Sequence, residues 1–257
     1  MSRTVPRRES TYDDRIGYDY EHPYPSPDVL ARYPFVPLQF ERLPDDEMLR
    51  RGEEFYRSIA TRRSVRSLSN APVPRNLIEL AVAAACTAPS GAHQQPWKFV
   101  ATNDPALKRQ IREAAEAEER VNYEGGRMND EWQSSLARLG TDAHKEYLEA
   151  APWLVVLFEE RYGTAPDGSR LHHYYVKESV GIAAGIFITA IHTMGLVTLT
   201  HTPTPMAFLS KLLGRPASER PFVLFPVGYP NHGALVPDLA RKTLDDVLVI
   251  LSPEADR

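Results

Sequence analysis

The longest apolar run of the chain, Val180 to Ile191, spans about twelve residues, and that length constrains the fold more than any other feature. A helix that crosses a bilayer needs about 20 apolar residues. This run therefore suits a buried helix of a globular core, expected over His173 to Met194. Within it, Gly181-Ile182-Ala183-Ala184-Gly185 places small residues four apart, on one helix face, where another backbone can approach closely. The N-terminus is polar and Arg-rich without the apolar centre of a signal peptide. A soluble, cytoplasmic protein without a membrane anchor is expected.

The 257 residues allow one large domain or two small ones and a substantial core. The net charge of −4 implies neither a nucleic-acid nor a membrane-surface partner. Cys86 is the only cysteine, so no intrachain disulfide can form, which suits a reducing compartment. It follows the apolar run Leu80 to Ala85, and a buried structural thiol is expected there.

Residues 1–44 are rich in Pro, Tyr, Asp and Arg without a sustained period, and read as an extended arm. The rest, 45–257, reads as one domain with a lid over about 115–148 and a C-terminal extension over about 230–257. Asp45 and Asp46 can cap a helix to about Ile59, and Pro74 suits the first turn of a helix to about Thr87. Further helices are expected over 104–120, about 130–149 and 206–213. Strands are expected over 97–102, 154–158, 197–200, 223–227 and 246–251 from β-branched and aromatic content. Helices and strands intermix without a βαβ alternation, and no Gly-x-Gly-x-x-Gly follows a strand. An α+β fold with a central sheet wrapped by helices fits this order.

Four segments carry residue types suited to chemistry. Arg62, Arg63 and Arg66 surround Ser64, and guanidinium forks suit a phosphate. By residue type alone the segment is equally a solvated basic loop. Pro89-Ser90-Gly91-Ala92-His93 stands between a helix and a strand, where backbone N–H groups lie outside any ladder. Thr200-His201-Thr202-Pro203 follows an expected strand. Glu119 and Tyr123 are four apart and share a helical face, with Lys145 on the next helix. A solvated charged face is the plain alternative. His172-His173 lacks a third ligand at a recognisable interval, so no metal site is expected.

In their order, these segments resemble the iodotyrosine deiodinase family of the nitroreductase flavoprotein superfamily. The carriers are Thr61-Arg62-Arg63-Ser64-Val65-Arg66, Pro89-Ser90-Gly91-Ala92-His93, the Glu119-x-x-Asn122-Tyr123 set with Lys145, Thr200-His201-Thr202-Pro203 and Arg241-Lys242. The resemblance runs from about Tyr33 to Ile250. It implies a nitroreductase-like FMN-binding fold with a mixed or antiparallel sheet, in an intertwined homodimer of bacterial type. Arg62, Arg63, Ser64, Arg66, Pro89, Ser90, Gly91, Thr200, His201, Thr202 and Arg241 would contact FMN, with Thr202 serving flavin N5. Glu119, Tyr123 and Lys145 would hold the amino-acid end of a halogenated tyrosine, and the Ala92 amide its phenolate oxygen. NAD(P)H or another reductant would supply electrons for release of halide. His201 departs from the family pattern, where Thr is usual, and the Gly125-Gly126 pair lengthens the Tyr123–Arg127 interval. A broad nitro- or quinone reductase, or a flavin-binding protein without turnover, are the alternatives.

Overall fold

The computed structural model describes residues 22 and 24–251. It divides into two compact units, Met1–Ser58 and Ile59–Arg257. In the first unit, Ser26 caps helix α1 (Pro27–Arg32) by accepting from the Val29 N–H, and Pro27 supplies a pre-set first turn. The expected extended arm thus contains one short helix. Residues 1–21 and 23 of that arm lie outside the described residues. Helix α2 (Asp45–Ala60) starts with three acids, Asp45, Asp46 and Glu47, which favour a helix N-terminus. None of its residues is buried.

The second unit is built on helices α3 (Arg75–Ala85), α4 (Pro105–Tyr123), α5 (Asp130–Ala137), α6 (Tyr147–Ala150), α7 (Val176–Thr193) and α8 (Ala207–Leu212). Its strands are β1 (Trp97–Thr102), β2 (Trp153–Glu160), β3 (Tyr162–Thr164), β4 (Arg170–His172), β5 (Val197–Thr198) and β6 (Glu219–Gly228). β1, β2, β6 and β5 form one antiparallel sheet in that order, and β3 and β4 form a separate hairpin. Ser64 adds a parallel bridge to Thr198.

The central strand β2 explains the layering. Side chains alternate across a strand, and both faces of this one are buried. Val155 and Leu157 join Phe225, the α7 residues Ala183 and Phe187 and the α3 residue Ala81 in one core. Leu154, Val156 and Phe158 join Ile111, Ala115, Leu148 and Leu209 from α4, α6 and α8 in the other. A strand covered on both sides needs a continuous apolar run rather than alternation, and Trp153-Leu154-Val155-Val156-Leu157-Phe158 is one.

Several expectations are corrected. The helix expected over about 130–149 is interrupted after Ala137, and the chain resumes helix only at Tyr147. Gly140, with φ +60°, occupies the left-handed region that ends helices. The strand expected over 246–251 is not formed. Asp246 instead accepts from the N–H and hydroxyl of Thr243 and folds the segment into a turn. A strand gains its hydrogen bonds only from a neighbour, and no described strand pairs with this segment. The hairpin of β3 and β4 was not foreseen. Cys86 is exposed, because it lies one residue beyond the buried face of α3. No helix among the described residues is long and apolar enough to cross a membrane.

Candidate active site

Helix α4 carries the first part of the site. Asp104 accepts from the N–H groups of Ala106 and Leu107, at 2.8 and 3.2 Å, and Pro105 follows at the first helical position. The same helix turns Glu116, Glu119 and Asn122 inward, at intervals of three, so all three are buried on one face. Two glycines end it. A Cβ on Gly125 would stand 2.6 Å from the Val121 carbonyl oxygen, and Gly126 has φ +72°. The pair that lengthens the Tyr123–Arg127 interval is therefore a helix stop. Arg127, just beyond, donates to Asn122 Oδ1 at 3.0 Å and to the Thr204 carbonyl at 2.9 Å. That contact ties the end of α4 to the segment after β5.

Lys145 comes from the irregular stretch between α5 and α6. Its backbone N–H donates to Glu116 Oε1 at 2.8 Å. Its ammonium donates to Thr141 Oγ1 at 3.0 Å and to the Asp142 carbonyl. It lies 3.9 Å from Glu119 Oε1, with both side chains almost wholly buried, and 5.5 Å from the Tyr123 ring centre. The Tyr123 hydroxyl donates to the Thr141 carbonyl at 3.3 Å. Burial lowers the Lys145 pKa, and the Glu119 and Asp142 charges oppose that shift. Desolvation likewise raises the Tyr123 phenol.

A cavity of about 160 Å³ gathers Glu119, Tyr123 and Lys145 with Arg66, Thr200, His201 and Thr202. The opposite wall is fixed by the sheet, since His201 exchanges both backbone hydrogen bonds with Leu224 of β6. His201 Nδ1 lies 3.2 Å from the buried Tyr147 hydroxyl. Burial, then the Lys145 and Arg66 charges, push the imidazole pKa down to about 3. It is neutral throughout the physiological range. Burial pushes the Tyr147 phenol well up.

The basic segment borders two neighbouring cavities. Ser64 and Arg66 open onto one of about 820 Å³, and Arg62 and Arg63 onto one of about 190 Å³. Arg241 donates to the Ala60 and Arg62 carbonyls at 3.0 and 2.7 Å, and Arg63 to the Pro237 carbonyl. The C-terminal extension thereby delivers its arginine to the others. Burial, then the Arg241 and Arg63 charges, lower the Arg62 pKa. Like charges brought together in this way are unfavourable alone and suit an anion. The donor set fits the phosphate of FMN.

Pro89, Ser90, Gly91 and Ala92 are not brought to those arginines within one chain. Gly91 N–H donates to Ser179 Oγ near the start of α7. Thr61, beside Arg62, contacts His192 at its end, 3.2 Å away. Thirteen residues of helix separate the two contacts, roughly 20 Å at 1.5 Å per residue.

Sequence reasoning missed Glu116, Thr141, Asp142 and Tyr147. The Glu116–Glu119 interval of three was a readable signal. Thr141 and Asp142 were hidden because their segment was read as helix. Tyr147 was hidden because the partner of its hydroxyl, His201, is 54 residues away.

Residues 59–229 match the model of the nitroreductase family. This chain belongs to the nitroreductase family. Within it, the chain is 52% identical to an iodotyrosine deiodinase of Haliscomenobacter hydrossis, over 86% of this chain and 97% of that protein. It is 46% identical to human iodotyrosine deiodinase 1, over 83% of this chain and 74% of that one. A crystal structure of oxidised iodotyrosine deiodinase bound to FMN and 3-iodo-L-tyrosine superimposes with a TM-score of 0.67 at 29% identity. That match covers 77% of this chain and 99% of the other. The α+β nitroreductase-like fold and the family placement read from the sequence are thus borne out.

Proposed function

We propose that this protein is an FMN-dependent reductive dehalogenase of halotyrosines, iodotyrosine above all. The observation that carries the reading is the buried Glu119–Lys145 pair, which lines one cavity with half-buried Tyr123 and with Thr200 to Thr202. The two charges stand 3.9 Å apart with almost no solvent contact, and the Asp142 and Glu116 charges also act on Lys145. A zwitterionic amino acid offers both a partner: its ammonium to Glu119, its carboxylate to Lys145. Removal of water from such pairs makes each partner decisive. Tyr123 adds a polar contact and orients the ligand backbone. Residues 115–148 act as a lid that excludes water around the reacting ring.

Arg62, Arg63, Ser64, Arg66 and Arg241 hold FMN, together with Pro89, Ser90 and Gly91. Thr200 and His201, which line the cavity with Glu119 and Lys145, would contact the flavin, and Thr202 would offer its hydroxyl to flavin N5. FMN, when bound, carries the electrons from NAD(P)H or another donor to the carbon–halogen bond. The balance is two electrons and one proton taken up per halotyrosine, with tyrosine and halide released. A nicotinamide donor and the single cysteine fit a cytoplasmic location.

The site is completed by a second copy of the chain. The support is the roughly 20 Å of α7 between the arginines and the Pro89–Ala92 turn. Ile182, 45% exposed, points the same way. It lies between Gly181 and Gly185, where an added Cβ meets nothing within 4 Å.

The test is anaerobic reduction of the purified yellow protein, followed by 3-iodotyrosine. Flavin reoxidation with stoichiometric iodide is the expected result. Reoxidation by nitroaromatics alone would instead mark a broad reductase.

A further inference from the structure

The described residues contain four non-glycine positions with left-handed φ, namely Ala92, His93, Gln95 and Tyr175, at 48°, 54°, 49° and 50°. They are at one place. Three lie in the short turn between α3 and β1, and Tyr175 is the residue that starts α7 opposite. A Cβ on Gly91 would stand 2.6 Å from the Tyr174 carbonyl oxygen and 3.1 Å from the Tyr175 ring, so the two segments are in contact. Side chains disfavour this backbone region, and such clusters persist only where the surroundings over-determine them.

The side chain of Gln94 joins the two segments. Its Nε2 donates to the His172 carbonyl at 2.8 Å, and its Oε1 accepts from the Tyr174 N–H at 2.8 Å. The primary amide thus pairs with alternate backbone groups at the end of β4, as a neighbouring strand would. Ser90 Oγ accepts from the Gln95 N–H at 2.9 Å and closes the turn from inside. Both groups of the Gln94 amide are engaged there, so this side chain acts through the turn.

We infer that Gln94 is a positioning residue: its side-chain amide holds the Ala92–Gln95 turn in the left-handed form that aims the Ala92 N–H. The inference rests on the proposed function, together with the expectation stated above that the Ala92 N–H receives the substrate's phenolate oxygen. These two hydrogen bonds tie the turn that carries Ala92 to the segment His172–Tyr174. Loss of the amide releases three unfavourable φ values, and the turn relaxes away from the geometry that aims the donor.

The experiment uses the full-length, FMN-loaded protein and two variants, Gln94→Ala and Gln94→Met, the second keeping the stem without the amide. Flavin fluorescence is titrated with 3-iodotyrosine across the pH range in which the ligand phenol ionises, and with 3-iodophenylalanine, which lacks the phenol oxygen. Wild-type affinity for iodotyrosine is expected to rise as the phenol ionises. Both variants should lose most of that rise and bind tenfold or more weakly at the alkaline end, with iodophenylalanine and FMN affinity unchanged. Amide hydrogen exchange in the peptide spanning 90–95 should accelerate tenfold or more. Wild-type pH dependence in either folded variant would overturn the inference, and so would equal losses for both ligands or unchanged exchange. A wild type that binds no halotyrosine would sink the proposed function instead. The exchange comparison still decides whether Gln94 holds the turn.

Discussion

At the scale of single residues, the site depends on charges that have left water. Glu119 and Lys145 satisfy one another at 3.9 Å with hardly any solvent contact. Glu119→Gln or Lys145→Gln should weaken 3-iodotyrosine binding by about 2–5 kcal/mol, because one charge of the zwitterion would then be buried unpaired. Binding of 2-iodophenol, which carries neither charge, should barely change, and FMN affinity should hold. Fluorescence titration of both ligands checks this; matched losses would show that the pair does not read the zwitterion. Tyr123→Phe removes the hydrogen bond to the Thr141 carbonyl and the polar contact proposed for the ligand, so a smaller loss of 3-iodotyrosine affinity, about 1 kcal/mol, is expected.

His201 gives a pH signature. Its ordinary pKa of 6.5 falls to about 3 in the fold, mainly by burial. Between those values the unfolded chain binds a proton that the folded chain refuses. Stability is therefore complete above about pH 6.5 and declines as pH falls toward 3, by up to about 1.4 kcal/mol per unit from this group. His201→Gln removes the titration. Between pH 7 and pH 5 the denaturant midpoint of wild type should fall more than that of the variant. Parallel curves would contradict it. That the position is a neutral histidine pressed against Tyr147 could not be read from Thr200-His201-Thr202-Pro203, since its partner is 54 residues away.

At the scale of elements, the end of α4 is the sensitive point. Gly125→Ala would drive a Cβ to 2.6 Å from the Val121 carbonyl. The last turn would distort, and Glu119 and Tyr123 ride on it. A stability loss of about 1–3 kcal/mol is expected, within the range for strained backbone sites, with a drop in iodotyrosine affinity and unchanged FMN binding. Asp104→Ala removes the cap at the other end and should cost about 1 kcal/mol with little effect on ligand. Thermal unfolding and titration of the two variants separate the effects; equal ligand loss in both would remove the special role of the glycine stop. Most helices were legible because their caps, prolines and periodic apolar positions are local. The break between α5 and α6 was not, since Gly140 alone competes there against residues that tolerate helix.

At the scale of the whole molecule, the proposed dimer makes separate predictions. Ile182→Glu places a charge on the outward face of α7. It should shift the sedimentation profile toward monomer and release FMN together. A monomer that keeps full flavin would refute the shared site. Arg241→Ala should instead leave the dimer intact and weaken FMN about tenfold or more, since charge-assisted hydrogen bonds contribute about 1.5–3 kcal/mol.

The sequence by itself determined the family, the α+β class and the residue types of the site, because these reside in local spacing: arginines around Ser64, an acid and a phenol one turn apart, an apolar run for β2. Tertiary structure alone decided which of those residues meet. It turned Glu116 and Glu119 onto Lys145 across a loop, set His201 against Tyr147, and carried Arg241 back to Arg62. It also held Ser90 to Ala92 at the far end of α7 from the arginines. Contacts of that kind are fixed by the packing of α4, α6 and α7 on the two faces of one sheet, and no local pattern encodes a distance measured through a core.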